Sequence, residues 1–250
     1  MIKLFAVDLD GCISHPYKTP DWEAINKIRD LNLQSRSSDV IPPLTVCTGR
    51  PYPYAEAVCQ WLDIRLPFVF ESAAVYHWEG NRIETVLDGN KDLLEPILDM
   101  KKWLRAELLP KYPTAMIEFT KMIDAGVISP SKETIQKMYE EIQTYVDINH
   151  SDLEIHTTEV SVNILIKGNN KYQGLKLLGK NLDISLDEMA YIGDSGGDVK
   201  ALKHVKMAFA PSNGINEVKE VATTIPKEAT KAVYDAYLKI IEQNKSKIHG

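Results

Sequence analysis

Four short apolar runs, each stopping abruptly at small or polar residues, constrain the fold of this chain more than any other feature. Lys3-Leu4-Phe5-Ala6-Val7 gives way to Asp8-Leu9-Asp10-Gly11, and Leu44-Thr45-Val46-Cys47 to Thr48-Gly49-Arg50-Pro51. Pro67-Phe68-Val69-Phe70 leads into Glu71-Ser72, and Met189-Ala190-Tyr191-Ile192 into Gly193-Asp194-Ser195-Gly196-Gly197-Asp198. Between the runs, apolar residues recur at helical spacing: Trp22, Ile25 and Ile28, then Ala55, Val58 and Leu62, later Leu175 and Leu178, and finally Val199 and Leu202. Unbroken apolar strands alternating with helices call for a parallel sheet covered on both faces, a Rossmann-like, doubly wound α/β core. Ligands of such sheets bind at the carboxyl ends of the strands, which is where all four polar clusters fall.

The middle of the chain has another rhythm. From Ile83 to Ile166 it reads strand, helix, two strands, helix, two strands, with Leu94, Ile97, Leu98 and Leu104 on one side of the first helix. Ser131 stands as the N-cap of the second, whose apolar stripe is Ile135, Met138, Ile142 and Tyr145. In the last strand Val160, Val162, Ile164 and Ile166 share one face while Ser161 and Asn163 point to the other, and Glu154 and His156 likewise oppose Leu153 and Ile155. These patterns describe a small α+β module, 83–166, inserted into a core made of 1–82 and 167–250, with helices on one face of its sheet and a more polar opposite face. Ser35-Arg36-Ser37-Ser38-Asp39 reads as an exposed loop and Lys245 to Gly250 as a frayed tail.

Composition removes some functions. The formal charge of −6 argues against a large basic face for nucleic acid. No apolar run approaches the roughly 18 residues of a membrane span, and the start lacks a signal-peptide pattern, so a cytoplasmic protein is expected. The three cysteines, Cys12, Cys47 and Cys59, have no metal or redox spacing, and Cys47 and Cys59 read as buried thiols.

Asp8 and Asp10 lie at i and i+2 on one side of an extended backbone, so their carboxylates converge. Such a pair repels itself unless a cation or shared proton compensates. A divalent-metal site beside a reactive carboxylate satisfies that demand, and a polar turn in which one acid caps the next element is the competing reading. Thr48 could similarly be a helix cap, and Asp194 and Asp198 a loop acid and a cap.

Taken in order, Asp8/Asp10, Thr48-Gly49-Arg50, Asn170-Lys171 and Asp194/Asp198 resemble the four motifs of the haloacid dehalogenase-like phosphohydrolase superfamily, over about residues 1–80 and 167–235. The resemblance implies that Asp8 is a nucleophile that forms an aspartyl-phosphate and that Asp10 is the acid/base. It implies Mg²⁺ held by Asp8, the Asp10 backbone carbonyl and Asp194, with Asp198 as a ligand or close support. Thr48, Gly49, Arg50 and Lys171 would attend the phosphoryl group, and Asn213 in Ala210-Pro211-Ser212-Asn213 matches an asparagine that orders the active-site loops beside the substrate. Departures are Cys12 for a common threonine, Tyr172 for a glycine after the lysine, Gly197 for an asparagine, and Glu71-Ser72-Ala73-Ala74 for Glu-Asn-Gly-Ala.

Only 37 residues separate Asp10 from Thr48, whereas 120 separate Arg50 from Lys171 and contain the inserted module. That placement resembles the C2B cap of Cof-like phosphatases, which include sugar phosphatases and the archaeal phosphoglycolate phosphatases. Specificity is then expected from the cap's polar face, with Glu118, Glu154, His156, Ser161 and Asn163 as candidate substrate contacts. The expected substrate is a small phosphorylated metabolite. A dehalogenase would not need Asp10 or the Asp194/Asp198 pair, and a transport ATPase would need membrane spans. A phosphomutase and a catalytically weak binding module remain as alternatives.

Overall fold

The computed structural model describes residues 1–85 and 94–248. The chain divides into two compact units, Met1–Glu84 with Lys171–Gly250, and Thr85–Asn170. In the first, β1 (Leu4–Val7) lies between β2 (Leu44–Val46) and β10 (Met189–Ile192), followed outward by β11 (Met207–Pro211) and β12 (Thr223–Ile225). All four pairings are parallel. β3 (Phe68–Phe70) forms a separate antiparallel sheet with β4 (Ala74–His77) and β5 (Arg82–Thr85), joined to the end of β2 by one parallel bridge, Cys47 to Val69.

The unbroken apolar character of β1 reflects burial on both faces. Leu4 and Ala6 pack with Cys47, Leu175, Leu178 and Tyr191, while Phe5 meets the Tyr237 ring on the opposite side at a centroid distance of 5.3 Å. Tyr237 belongs to α8 (Ala229–Ile248), which packs beside α1 (Trp22–Gln34). The expected frayed tail is therefore helical through Ile248, and residues 249–250 lie outside those described. The cause is visible one turn earlier: buried Asn244 bonds the Ile2 backbone at both N–H and C=O and also the Val40 carbonyl, holding the helix against the start of the chain. Ser35–Ser37 is a short 3-10 turn rather than open loop. Among the described residues no helix is long and apolar enough to cross a membrane.

In the second unit, α3 (Glu95–Trp103) and α4 (Lys132–Asn149) accompany a sheet ordered β6 (Met116–Ile117), β7 (Ala125–Ile128), β9 (Ser161–Ile166), β8 (Leu153–Thr157). The Ser131 hydroxyl caps α4 by accepting from the Thr134 N–H at 3.2 Å. Ile97, Met100, Leu104, Ile135, Met138, Ile142 and Val146 pack against Ala125, Val127, Val162, Ile164 and Ile166. Each buried Ile, Leu, Met or Val among them is worth about 1.5–3 kcal/mol relative to exposure. Leu98, expected on the buried stripe, is 46% exposed. It stands one residue, or about 100°, around the helix from Ile97, and Met100 fills the inward position. Trp22 is also exposed and packs edge-on against Trp61.

Candidate active site

The strand order places the site. From β1 the chain runs through α1 to β2 on one side, and from β10 through α6 (Val199–Leu202) to β11 on the other, so connections diverge between β1 and β10. The carboxyl end of such a divergence is the crevice where ligands of doubly wound sheets bind. Asp8 follows β1 there and Asp194 follows β10. Gly11 makes their approach possible, since its φ is +69° and a Cβ would lie 1.9 Å from Asp194 Oδ2.

Asp8 is buried, with Oδ1 accepting from the Leu9 N–H at 2.8 Å and Oδ2 lying 2.7 Å from Lys171 Nζ. Lys171 opens α5 (Lys171–Leu182), and its ammonium also reaches Asp198 Oδ1 at 2.6 Å. Asp198 receives five donors: Lys171 and the Tyr191 hydroxyl on Oδ1, and the Asp194 N–H, Ser195 N–H and Ser195 hydroxyl on Oδ2. These contacts hold the Lys171 ammonium and tie down the 194–195 backbone. Tyr191 was hidden within an apolar run, and the available clue was that a buried tyrosine hydroxyl needs a partner.

Oxygen atoms of Asp8, Asp194 and Asp198 can all lie within 4.8 Å of one another. Burial, then the charges of Asp198 and Asp10, push Asp8 up to about 7 against the opposing pull of Lys171. Burial, then the charges of Asp198 and Asp8, push Asp194 up to about 8. Asp198 is held below the ordinary carboxylate range, because Lys171 and its hydrogen bonds outweigh the cost of burial. For Lys171 burial would favour loss of the proton, but the charges of Asp198 and Asp8 win and keep the ammonium well above the usual lysine range. Lys171 thus contacts two of the three acids, Asp8 and Asp198, and among the described residues Asp8 with Asp194 remains short of positive charge. An all-oxygen donor set with that deficit fits a hard divalent ion.

Thr48, after β2, is buried and accepts from the Arg50 N–H at 3.1 Å. It is not the cap of α2 (Tyr52–Trp61), where Pro51 holds that position. Arg50 grips Asp10 with Nε 2.5 Å from Oδ2 and Nη2 2.9 Å from Oδ1. Gly49 lies between these two residues in the same turn. Beside them Glu71 and Ser72 both adopt positive φ, and the Ser72 N–H donates to the Thr48 carbonyl at 2.9 Å. Asn213 uses its amide on backbone, donating to Gly11 O and accepting from the Ala229 N–H, each at 2.9 Å. That geometry makes it a brace between the Gly11 turn and the start of α8. Cys12, Cys47 and Cys59 are buried free thiols whose ionisation burial opposes.

The candidates in 85–170 form two groups. Lys121, absent from the sequence expectations, is buried with Nζ 3.0 Å from Asp124 Oδ2, 2.9 Å from Asn163 Oδ1 and 3.6 Å from Glu118 Oε2. Asn163 in turn donates to the Ser161 hydroxyl at 3.0 Å. Gly126 lies close beneath them, and a Cβ there would come 2.8 Å from Glu118 Oε2 and displace that carboxylate. Glu154 and His156 make a separate, half-exposed pair, with Nε2 3.4 Å from Oε1.

The chain belongs to the haloacid dehalogenase-like hydrolases, whose family profile matches residues 109–237. It is 22% identical over 227 residues to a phosphoglycolate phosphatase of Methanococcoides burtonii, covering 91% of each chain. Its fold is similar to a HAD/COF-like hydrolase of Plasmodium vivax, with a TM-score of 0.71, 19% identity and coverage of 97% and 96% of the two chains. It is likewise similar to the sucrose-phosphatase of Synechocystis sp. PCC6803, with a TM-score of 0.67, 14% identity and coverage of 96% and 98%.

Proposed function

We propose that this phosphatase hydrolyses a small phosphomonoester, a sugar phosphate or a phosphoglycolate-like compound, in two steps through an aspartyl-phosphate on Asp8. The observation that carries the reading is the buried Asp8–Lys171 contact at 2.7 Å within reach of Asp194 and at the strand-end crevice. In the first step an Asp8 oxygen bonds to phosphorus while the ester P–O bond breaks, and Asp10 gives its proton to the departing oxygen. Water then bonds to phosphorus, its proton passes to Asp10, and the Asp8–phosphorus linkage breaks to release phosphate. Thr48 and Lys171 hold the phosphoryl oxygens, and Lys171 supplies a fixed positive charge as negative charge develops. Asp8, Asp194 and the Asp10 carbonyl would hold Mg²⁺, and Asp198 supports them through Lys171 and the 194–195 backbone. When bound, Mg²⁺ supplies electrostatic neutralisation of the phosphoryl oxygens.

The test is phosphate release by purified protein over a panel of phosphoglycolate, sugar phosphates, nucleotides and an aryl phosphate, with Mg²⁺ and with EDTA. Turnover is expected with Mg²⁺ and loss of it with EDTA. No release from any member would overturn the reading, and activity that requires a sugar bisphosphate would favour a mutase instead.

Metal binding has a stability signature. Asp8 and Asp194 carry raised folded-state values of about 7 and about 8 against 3.8 for an ordinary aspartate. In metal-free protein their stabilising contribution is complete below about pH 4 and is lost as pH rises towards about 8, where folding traps disfavoured charges. The gain in Tm on adding Mg²⁺ is therefore expected to grow across that window. A gain that shrank with rising pH would count against these two carboxylates as the metal's ligands.

Specificity is assigned to Glu118, Glu154, His156 and Asn163. Alanine at these positions is expected to alter the ranking of substrates by more than about threefold in relative kcat/KM while the aryl phosphate rate changes little. An unchanged ranking across the four variants would refute the assignment.

A further inference from the structure

We infer that Arg50 is the positioning residue for Asp10 and not a ligand of the phosphoryl group. This rests on the phosphatase reading above. Asp10 sits on the turn after β1 with its side chain 30% exposed, where a carboxylate is free to rotate unless something holds it. The guanidinium holds it by both oxygens, at 2.5 and 2.9 Å, and thereby fixes the plane of the group as well as its position. Each carboxylate oxygen has two lone pairs, so a fork that occupies one on each leaves the other available for proton exchange. The paired Nε–Nη2 edge, which would otherwise be suited to a phosphate, is committed to Asp10.

Arg50 is itself anchored at several points. Its N–H donates to the Thr48 hydroxyl and its carbonyl accepts from the Glu71 N–H at 3.0 Å. Its guanidinium carbon lies 5.0 Å from the centre of the Tyr54 ring, in cation–π range. The end of β2 is thus built to deliver a rigid fork to a residue forty positions earlier in the chain. A partly exposed ion pair contributes little to folding stability. Its value lies in where it puts the proton-transferring oxygen.

Position matters most where a proton must reach a poor leaving group. In Arg50→Met, kcat/KM for alkyl phosphates is expected to fall by about 10- to 100-fold, while kcat/KM for a nitro-substituted aryl phosphate stays within about threefold of wild type. The second step needs Asp10 as a base whatever the leaving group, so the aryl substrate should show a burst followed by slowed turnover. In an Asp10→Asn background the Arg50→Met change should cost no more than about a further twofold, because the group it positions is already disabled. Arg50→Lys keeps the charge but loses the fork, and should show the same leaving-group-selective loss. It carries the comparison if Arg50→Met does not fold. Equal losses for alkyl and aryl esters, or losses that multiply with Asp10→Asn, would overturn the inference and make Arg50 a substrate ligand. Wild-type protein inactive on all esters would instead overturn the phosphatase reading itself.

Discussion

Asp8→Asn should lower turnover by at least about four orders of magnitude on every substrate, including aryl phosphates with good leaving groups. The amide has no anionic oxygen to bond to phosphorus, so the first step has no nucleophile and Asp10, Lys171 and the metal have nothing to assist. Residual function elsewhere in the site should survive: the variant should still bind phosphate esters and show no burst of alcohol release. Its stability should also move in a defined direction. Because burial and neighbouring acids raise Asp8 to about 7, wild-type protein carries a disfavoured charge above that pH that the variant lacks. The melting temperature of the metal-free variant should therefore gain on wild type as pH rises from about 4 to 7. Turnover within about tenfold of wild type would remove Asp8 as the nucleophile.

The parts of this site that were legible in the sequence are those tied to strong local signals. Asp8 and Asp194 stand where unbroken apolar runs end, and a parallel sheet brings such ends to one edge, while the observed order sets β10 beside β1 and makes the two acids neighbours. Lys171 was legible only through the family resemblance, which places a lysine just ahead of a helical stripe such as Leu175 and Leu178. What stayed hidden depends on where side chains point once the backbone is fixed. Asp10 and Arg50 are forty residues apart, and sheet order made them neighbours, but nothing in the residue pattern says that the guanidinium turns to the carboxylate rather than to the crevice. Tyr191 looked like one more core residue, and only its contact with Asp198 gives its hydroxyl a role. Lys121 lies in a connection without periodicity, so its burial among Asp124, Asn163 and Glu118 had no one-dimensional trace. Leu98 and the lysine-rich end of α8 show the same limit from the other side. An apolar residue one position off the stripe was overvalued, and a charged tail was undervalued because the polar anchor Asn244 precedes it.

Lys171→Met should damage folding and catalysis together, which separates it from Asp8→Asn. The ammonium is the positive charge shared by Asp8 at 2.7 Å and Asp198 at 2.6 Å, all three groups being buried. Removing one member of a buried ion-paired set leaves uncompensated charge, a loss of about 3–5 kcal/mol. That cost should be largest above about pH 7, where Asp8 would be ionised, and smaller in acid, where protonation relieves it. Denaturant unfolding at two pH values measures the difference. Mg²⁺ should recover part of the lost stability, since a dication beside Asp8 and Asp194 offsets the same excess of negative charge. It should not recover turnover, expected to be down by about three orders of magnitude, because Lys171 also has to face the phosphoryl oxygens. Lys171→Arg restores charge in a slot shaped for a compact ammonium, so it should regain more stability than activity. A methionine variant as stable as wild type at both pH values would show that the three acids do not depend on this lysine, and would remove the electrostatic basis for placing the metal and the phosphoryl group around it.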